Sequence, residues 1–166
     1  MSLVHQLEDR EFRVPELKAI WLARRGKPFL REVVRALDGL DEDSAWRALW
    51  LIKRQAMESP LEKALLIDLA KRSPGFREWR ARLTLCQLFS ITGYPSPSRE
   101  ILVPWLEQCF LDRRVIVRAW AVSALWHLRE DRPHRHVWEK CFAQASTEDA
   151  PSMRARLRRL EKPQGL

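Results

Sequence analysis

The sequence predicts an all-α fold in which helical pairs stack into a short right-handed superhelix of about four pairs. Three observations carry this expectation. An apolar residue followed by Arg-Ala occurs four times, at Trp46-Arg47-Ala48, Trp79-Arg80-Ala81, Val117-Arg118-Ala119 and Met153-Arg154-Ala155, with separations of 33, 38 and 36 residues. Two helices of about 12–15 residues with their turns fill that length. The chain has only five glycines, too few for the tight turns of a sandwich or barrel. Pro60, Pro74, Pro95, Pro97, Pro133 and Pro151 fall between apolar segments or at their first turns, where proline is tolerated.

Taken in order, the periodicity places helices at 15–25 and 28–38, broken at Gly26. Each Arg-Ala copy then follows an acidic or Ser/Pro turn (DGLDEDS, RSPG, LDRR, STEDAPS), residues that suit a helix N-terminus because they accept its free N–H groups and complement its dipole. These copies predict helices at 43–57, 75–91, 114–129 and 151–161, with apolar helices between them at 61–72, 98–111 and 134–145. Pro104 should lie in the first turn of its helix or bend it. In RVIVRAWAVSALWHLR, at 114–129, apolar residues occupy nearly every side of the wheel, so this helix should be buried between neighbours on more than one face. The chain reads as one helical-repeat domain over 1–166, with an N-terminal pair at 1–40, repeats at 41–162 and a short tail at 163–166.

The segment LDRRVIVRAWAVSALWHL resembles the second helix of a HEAT repeat, with an acidic turn, then Val-Arg, then small and apolar residues. LDEDSAWRALWLI and STEDAPSMRARLRRL resemble the same motif, and SPGFREWRARLTLCQL is a looser copy without the Asp. The resemblance covers about residues 40–162 and implies a HEAT-like solenoid. It also implies that Arg47, Arg80, Arg118 and Arg154 bond to an Asp of the neighbouring repeat, with Asp43, Asp112 and Asp149 as the partners. The alternative, that these arginines meet a ligand, stays open. HEAT-like scaffolds serve as adaptors, transport receptors and DNA-binding repair proteins, so the fold alone does not deliver a function.

Composition narrows the function classes. Apolar residues at 46% and charged residues at 31% exclude a disordered chain. No apolar run is long enough to span a bilayer, and the first twenty residues carry acidic charges where a signal peptide would be apolar. Cys86, Cys109 and Cys141 are odd in number and lie in apolar stretches, as buried thiols of a reducing compartment do, so the expected location is cytoplasmic. The net charge is +8 and uneven: 14 basic against 12 acidic side chains over 1–72, and 16 against 10 over 73–166. That imbalance favours an anionic partner.

On helical wheels, Arg47 and Arg54 share one side of their helix, Arg77 and Arg80 with Thr84 and Gln87 the next, Arg114, Arg118 and Arg129 the third, and Arg154 with Arg158 the last. Helices stacked in phase would align these as a basic groove on a concave face, spaced for successive phosphates or an acidic peptide. Solubilising surface arginines would give the same pattern. Eight tryptophans are many for this length. Most, at helical spacing among Leu and Ala, should be core, and Trp50 is the one expected at the groove. His134 and His136, two apart on a helix, cannot share a metal, and His127 reads as a satisfied core histidine.

No glycine-rich phosphate loop, nucleophile elbow, zinc-protease or kinase signature is present, so no catalytic residue, cofactor or metal is assigned. The chain is also similar to the HEAT-like alkylpurine DNA glycosylases in being basic, Trp-rich and helical. It is shorter than they are, and no residue here matches their Asp-and-aromatic arrangement. Asp68 and Asp112 are only the acids nearest the expected core or groove. The leading expectation is a non-enzymatic interaction module that binds a protein on its concave face, with no membrane partner. The alternative is nucleic-acid binding through the arginine stripe.

Overall fold

A computed structural model describes residues 1–162, and the expected tail at 163–166 lies outside them. Among the described residues the fold is all-α. Its helices are α1 (Leu3–Glu8), α2 (Val14–Arg24), α3 (Lys27–Gly39), α4 (Glu42–Glu58), α5 (Lys63–Arg72), α6 (Trp79–Thr92), α7 (Arg99–Phe110), α8 (Val115–Leu125), α9 (Arg135–Ala145) and α10 (Pro151–Glu161). Short 3₁₀ turns follow at Ser73–Gly75, Ser96–Ser98 and Trp126–Leu128.

The sequence missed α1. It is only six residues long, with Leu3 and Leu7 buried and Ser2 Oγ accepting the His5 N–H. The helix expected from 75 starts at Trp79, because Ser73–Gly75 makes a 3₁₀ turn and Phe76 is extended. The helix expected through 129 ends as α helix at Leu125 and tightens into the 3₁₀ turn Trp126–Leu128. Pro104 lies in the interior of α7 and not in its first turn, with its ring exposed. It has no N–H to offer the Glu100 carbonyl.

Helices α4, α6, α8 and α10 pack each on the next, forming one row. On the other side α5 packs on α7 and α7 on α9, while α3 covers α4 and α7 and α9 cover α8. The all-round apolar helix is α8, held by α6, α7, α9 and α10. Its Ala119, Ala121, Ser123 and Ala124 are buried, and their small side chains admit neighbours on every side. The N-terminal helices α1 and α2 close the other end of the row against α4, where Trp21 and Leu17 are buried.

Helix starts follow from their caps. The Asp41 carboxylate accepts the Ser44 N–H at 2.8 Å, and that of Glu78 accepts the Ala81 N–H at 2.9 Å. Glu42, in the first turn of α4, accepts the N–H groups of Arg77 (2.6 Å) and Glu78 (3.0 Å) and so ties two adjacent turns together. Gly93 ends α6 at φ +66°, and a Cβ there would meet the His127 ring at 3.4 Å. The three cysteines are buried and unbonded, as their apolar settings led one to expect.

Candidate functional site

The row formed by α4, α6, α8 and α10 is almost free of acid. Its only carboxylates are Glu42 and Asp43 in the first turn of α4, Glu58 at its last residue, and Glu161 at the last residue of α10. The same helices carry Arg47, Lys53, Arg54, Arg80, Arg82, Arg118, Arg154, Arg156, Arg158 and Arg159. Within the helices of the other layer, acids are interspersed: Glu32 and Asp38 in α3, Asp68 in α5, Glu100 and Glu107 in α7, Glu139 in α9. Charge is therefore sorted between the layers.

Guanidinium groups and indoles interleave along the N-terminal ends of this row. Arg47 lies 5.1 Å from the Trp46 ring centre, Arg80 lies 5.4 Å from Trp46 and 5.8 Å from Trp79, and Arg114 lies 4.6 Å from Trp79. Arg156 of α10 covers Trp120 of α8 at 3.9 Å. Stacking of this kind fixes a guanidinium plane while leaving its N–H edge for other acceptors. Arg80 Nε donates to Glu78 at 2.8 Å, whereas among the described residues the guanidinium groups of Arg114 and Arg156 form no ion pair. Burial, and then the nearby Arg159, lower the pKa of Arg156.

One turn along α4 from Trp46 sits Trp50, half-buried and with no guanidinium on its ring. Beyond it the Lys53 ammonium donates to Gln87 Oε1 at 2.7 Å, across to α6. Burial, and then the adjacent Arg54, pull its pKa down to about 8. Among the described residues Lys53 has no ion-pair partner.

The structure divides the arginines expected to form one stripe. Arg47 is buried and donates to the backbone carbonyls of Phe12 (2.6 Å) and Leu7 (2.9 Å), not to Asp43. Arg54 turns the same way and stacks on Trp21 at 4.9 Å. Both therefore serve the junction with α1 and α2. Arg118 grips Glu148 through Nε and Nη2 and the carbonyls of Asp112 and Arg113 through Nη1. Asp112 itself receives the Arg114 N–H at 2.8 Å and faces Arg82 at 3.6 Å. Arg154 is exposed and 3.9 Å from Asp149, and Arg77 and Arg158 are exposed. The expected Arg–Asp ladder thus becomes a mixed set of ties: Arg47 to carbonyls, Arg80 to Glu78, Arg118 to Glu148 and Arg154 to Asp149.

Of the expected site residues, Arg80, Arg114, Arg118, Arg154, Arg158 and Trp50 lie on the row or at its turns with Lys53 and Arg156, whereas Arg47 and Arg54 turn to the N-terminal helices. Sequence reasoning missed Lys53, Arg156 and the pairing of indole with arginine. The Trp-Arg dipeptides at 46–47 and 79–80, one repeat apart, were the available signal.

Asp68 bonds Arg72 at 3.0 Å and Asp112 caps its own turn, so both acids nearest the expected core or groove are engaged. Among the described residues no group of three His, Cys, Asp or Glu could hold a metal, and no helix is long and apolar enough to cross a membrane. His127 donates through Nε2 to the Ser90 carbonyl at 2.8 Å, between the rings of Tyr94 and Trp126. His134 is engaged with Asp131 at 2.8 Å. No protein family, curated protein or solved structure matches the chain.

Proposed function

We propose that the protein is a non-enzymatic binding module of HEAT-like helical pairs, a right-handed superhelix whose α4–α6–α8–α10 face holds the backbone of a nucleic acid. The solenoid reading is supported by side-chain links that recur at about one repeat length. Lys53–Gln87, Ser90–Ser123 and Glu107–Lys140 join positions 34, 33 and 33 apart. The observation that carries the functional reading is the sorting of charge. A row whose helices carry ten Arg and Lys side chains against four carboxylates, those four at helix ends, is complementary to a polyanion, and each phosphate it neutralises releases condensed cations from the strand. Trp50, half-buried, leaves part of its indole open for a base to stack on, which suits single strands.

The test is binding of the purified protein to labelled single-stranded and duplex DNA and RNA, titrated across salt. Expected are a steep loss of affinity with salt, a slope that falls by about one for each cation removed among Lys53→Glu, Arg80→Glu and Arg114→Glu, and a preference for single strands that Trp50→Ala weakens. No binding at low salt would overturn the reading.

A protein partner, which the sequence favours, is the second reading. The observation on its side is an apolar, basic-rimmed cleft between α3 and α5.

A further inference from the structure

Helices α5, α7 and α9 pack successively on one another, but between α3 and α5 the same layer opens into a cleft of about 310 Å³. Its floor is Leu30 and Val34 of α3 with Leu61 and Leu65, all half-buried. Four apolar side chains, each partly exposed, line this cleft and would lose contact with water if it were covered. One rim is Lys27, Arg31 and Arg35, spaced i, i+4, i+8 along α3 and all exposed. That spacing makes a straight rail about 12 Å long. Among the described residues none of the three side chains makes an ion pair or hydrogen bond, although neighbouring cations do: Arg24 pairs with Glu32 and Arg25 with Glu58. Glu62, on the far rim, also has no ion-pair partner.

We infer that this cleft docks an acidic amphipathic helix of a partner protein, apolar side down on Leu30, Val34, Leu61 and Leu65, with its carboxylates along Lys27, Arg31 and Arg35. The inference deepens the protein-partner reading and is independent of the nucleic-acid face. Two features select a helix over a small ligand. A small-molecule site encloses most of its occupant, whereas six of the residues lining this cleft (Lys27, Arg31, Arg35, Ser59, Pro60 and Glu62) are exposed. A groove flanked by two helices, with cations repeating every turn, matches the i, i+3, i+4, i+7 anchors by which an amphipathic helix lies in a groove.

The experiment uses fluorescent peptides of about 15 residues, long enough to populate a helix, with Leu at i, i+3, i+4 and i+7 and Glu flanking them. Controls carry Lys for Glu, or the same composition scrambled. Anisotropy titrations on the whole protein should show the acidic peptide binding at least about tenfold tighter than either control. Arg31→Glu with Arg35→Glu should abolish that preference, and Val34→Arg should abolish binding. All three positions are at least partly exposed, and thermal melts check that the variants fold. A preference that survives these changes, or is lost instead with Lys53→Glu, Arg80→Glu and Arg114→Glu, would overturn the inference. So would displacement of the peptide by decanoate, which would assign the cleft to a lipid-like ligand. A dimer of the free protein that the α3 reversals dissolve would assign it to a second copy and overturn it equally.

Discussion

Arg118 and Glu148 form a two-pronged ion pair across thirty positions of sequence, Nε to Oε1 at 3.0 Å and Nη2 to Oε2 at 3.1 Å. The same guanidinium uses Nη1 to hold the carbonyls of Asp112 and Arg113, at 2.8 and 3.0 Å, in the turn that starts α8. One side chain thus fixes a turn of its own repeat and attaches the next. Forked pairs of this kind, with both partners largely shielded, outweigh exposed ones. Arg118→Ala is expected to cost about 2 kcal/mol, read as a fall in the urea midpoint. Arg154→Ala, at the matching position but exposed, should change stability by less than about 0.5 kcal/mol. Equal effects of the two would refute the distinction.

Arg47 performs the matching task at the other end, and its loss should be felt locally. With the Phe12 and Leu7 carbonyls released, Arg47→Ala is expected to cost about 2–3 kcal/mol. Amide exchange should accelerate first over 1–25, ahead of the row. Arg47→Lys should not rescue it, because a single ammonium cannot reproduce the fork that reaches both carbonyls. Uniform acceleration across the chain would argue against a local clasp.

Lys53 should titrate near neutrality. Its pKa is lowered, by burial first and by Arg54 second, to about 8 against an ordinary 10.5. Between those values the unfolded chain binds the proton that the folded chain has released, so folding stability should rise as pH rises from about 8 to about 10.5. Lys53→Met should remove that rise. Acylation of Lys53 followed by mass spectrometry should show half-maximal reactivity near pH 8, and a midpoint above pH 10 would contradict the assignment. Oligonucleotide affinity should weaken as pH rises through about 8, where the folded protein loses the ammonium charge.

His127 gives the opposite end of the pH range. Burial holds its pKa below 6.5, outweighing the bond to the Ser90 carbonyl that favours the cation. As pH falls through 6.5 the unfolded chain takes up a proton that the folded chain refuses, so stability present above that value is lost on acidification. Urea midpoints of the protein should drop between pH 7 and pH 5. In His127→Gln, which can still donate to Ser90, this component of the drop should vanish. An unchanged pH dependence would mean that His127 titrates normally.

Much of the fold was legible because the repeat is explicit. Four Arg-Ala copies, each behind a capping turn and punctuated by proline, fixed the order of the helices to within a few residues. What escaped was short or irregular: α1 is too brief to show a period, and the 3₁₀ turns at Ser73–Gly75 and Trp126–Leu128 keep the composition of the helices they follow. The site was less legible, because a wheel shows which residues share a side but not what that side meets. Arg47 and Arg54 do share a side, yet it faces α1 and α2. The carboxylate that Arg118 grips is Glu148, next to the expected Asp149, and no periodicity separates those two. Trp46 beneath Arg80 and Trp120 beneath Arg156 are contacts between helices 34 and 36 positions apart, visible only once the row is assembled.

The links that join one pair of helices to the next, Lys53–Gln87, Ser90–Ser123 and Arg118–Glu148, each cross a single boundary and then stop. In the solenoid proposed above, these links would act as springs in series. A pull on the two ends is carried from boundary to boundary, so the weakest boundary yields first and the others stay closed until their own turn comes. A strand lying along α4, α6, α8 and α10 would stiffen every boundary it crosses, and how far the protein can stretch would then depend on how much of that row is occupied.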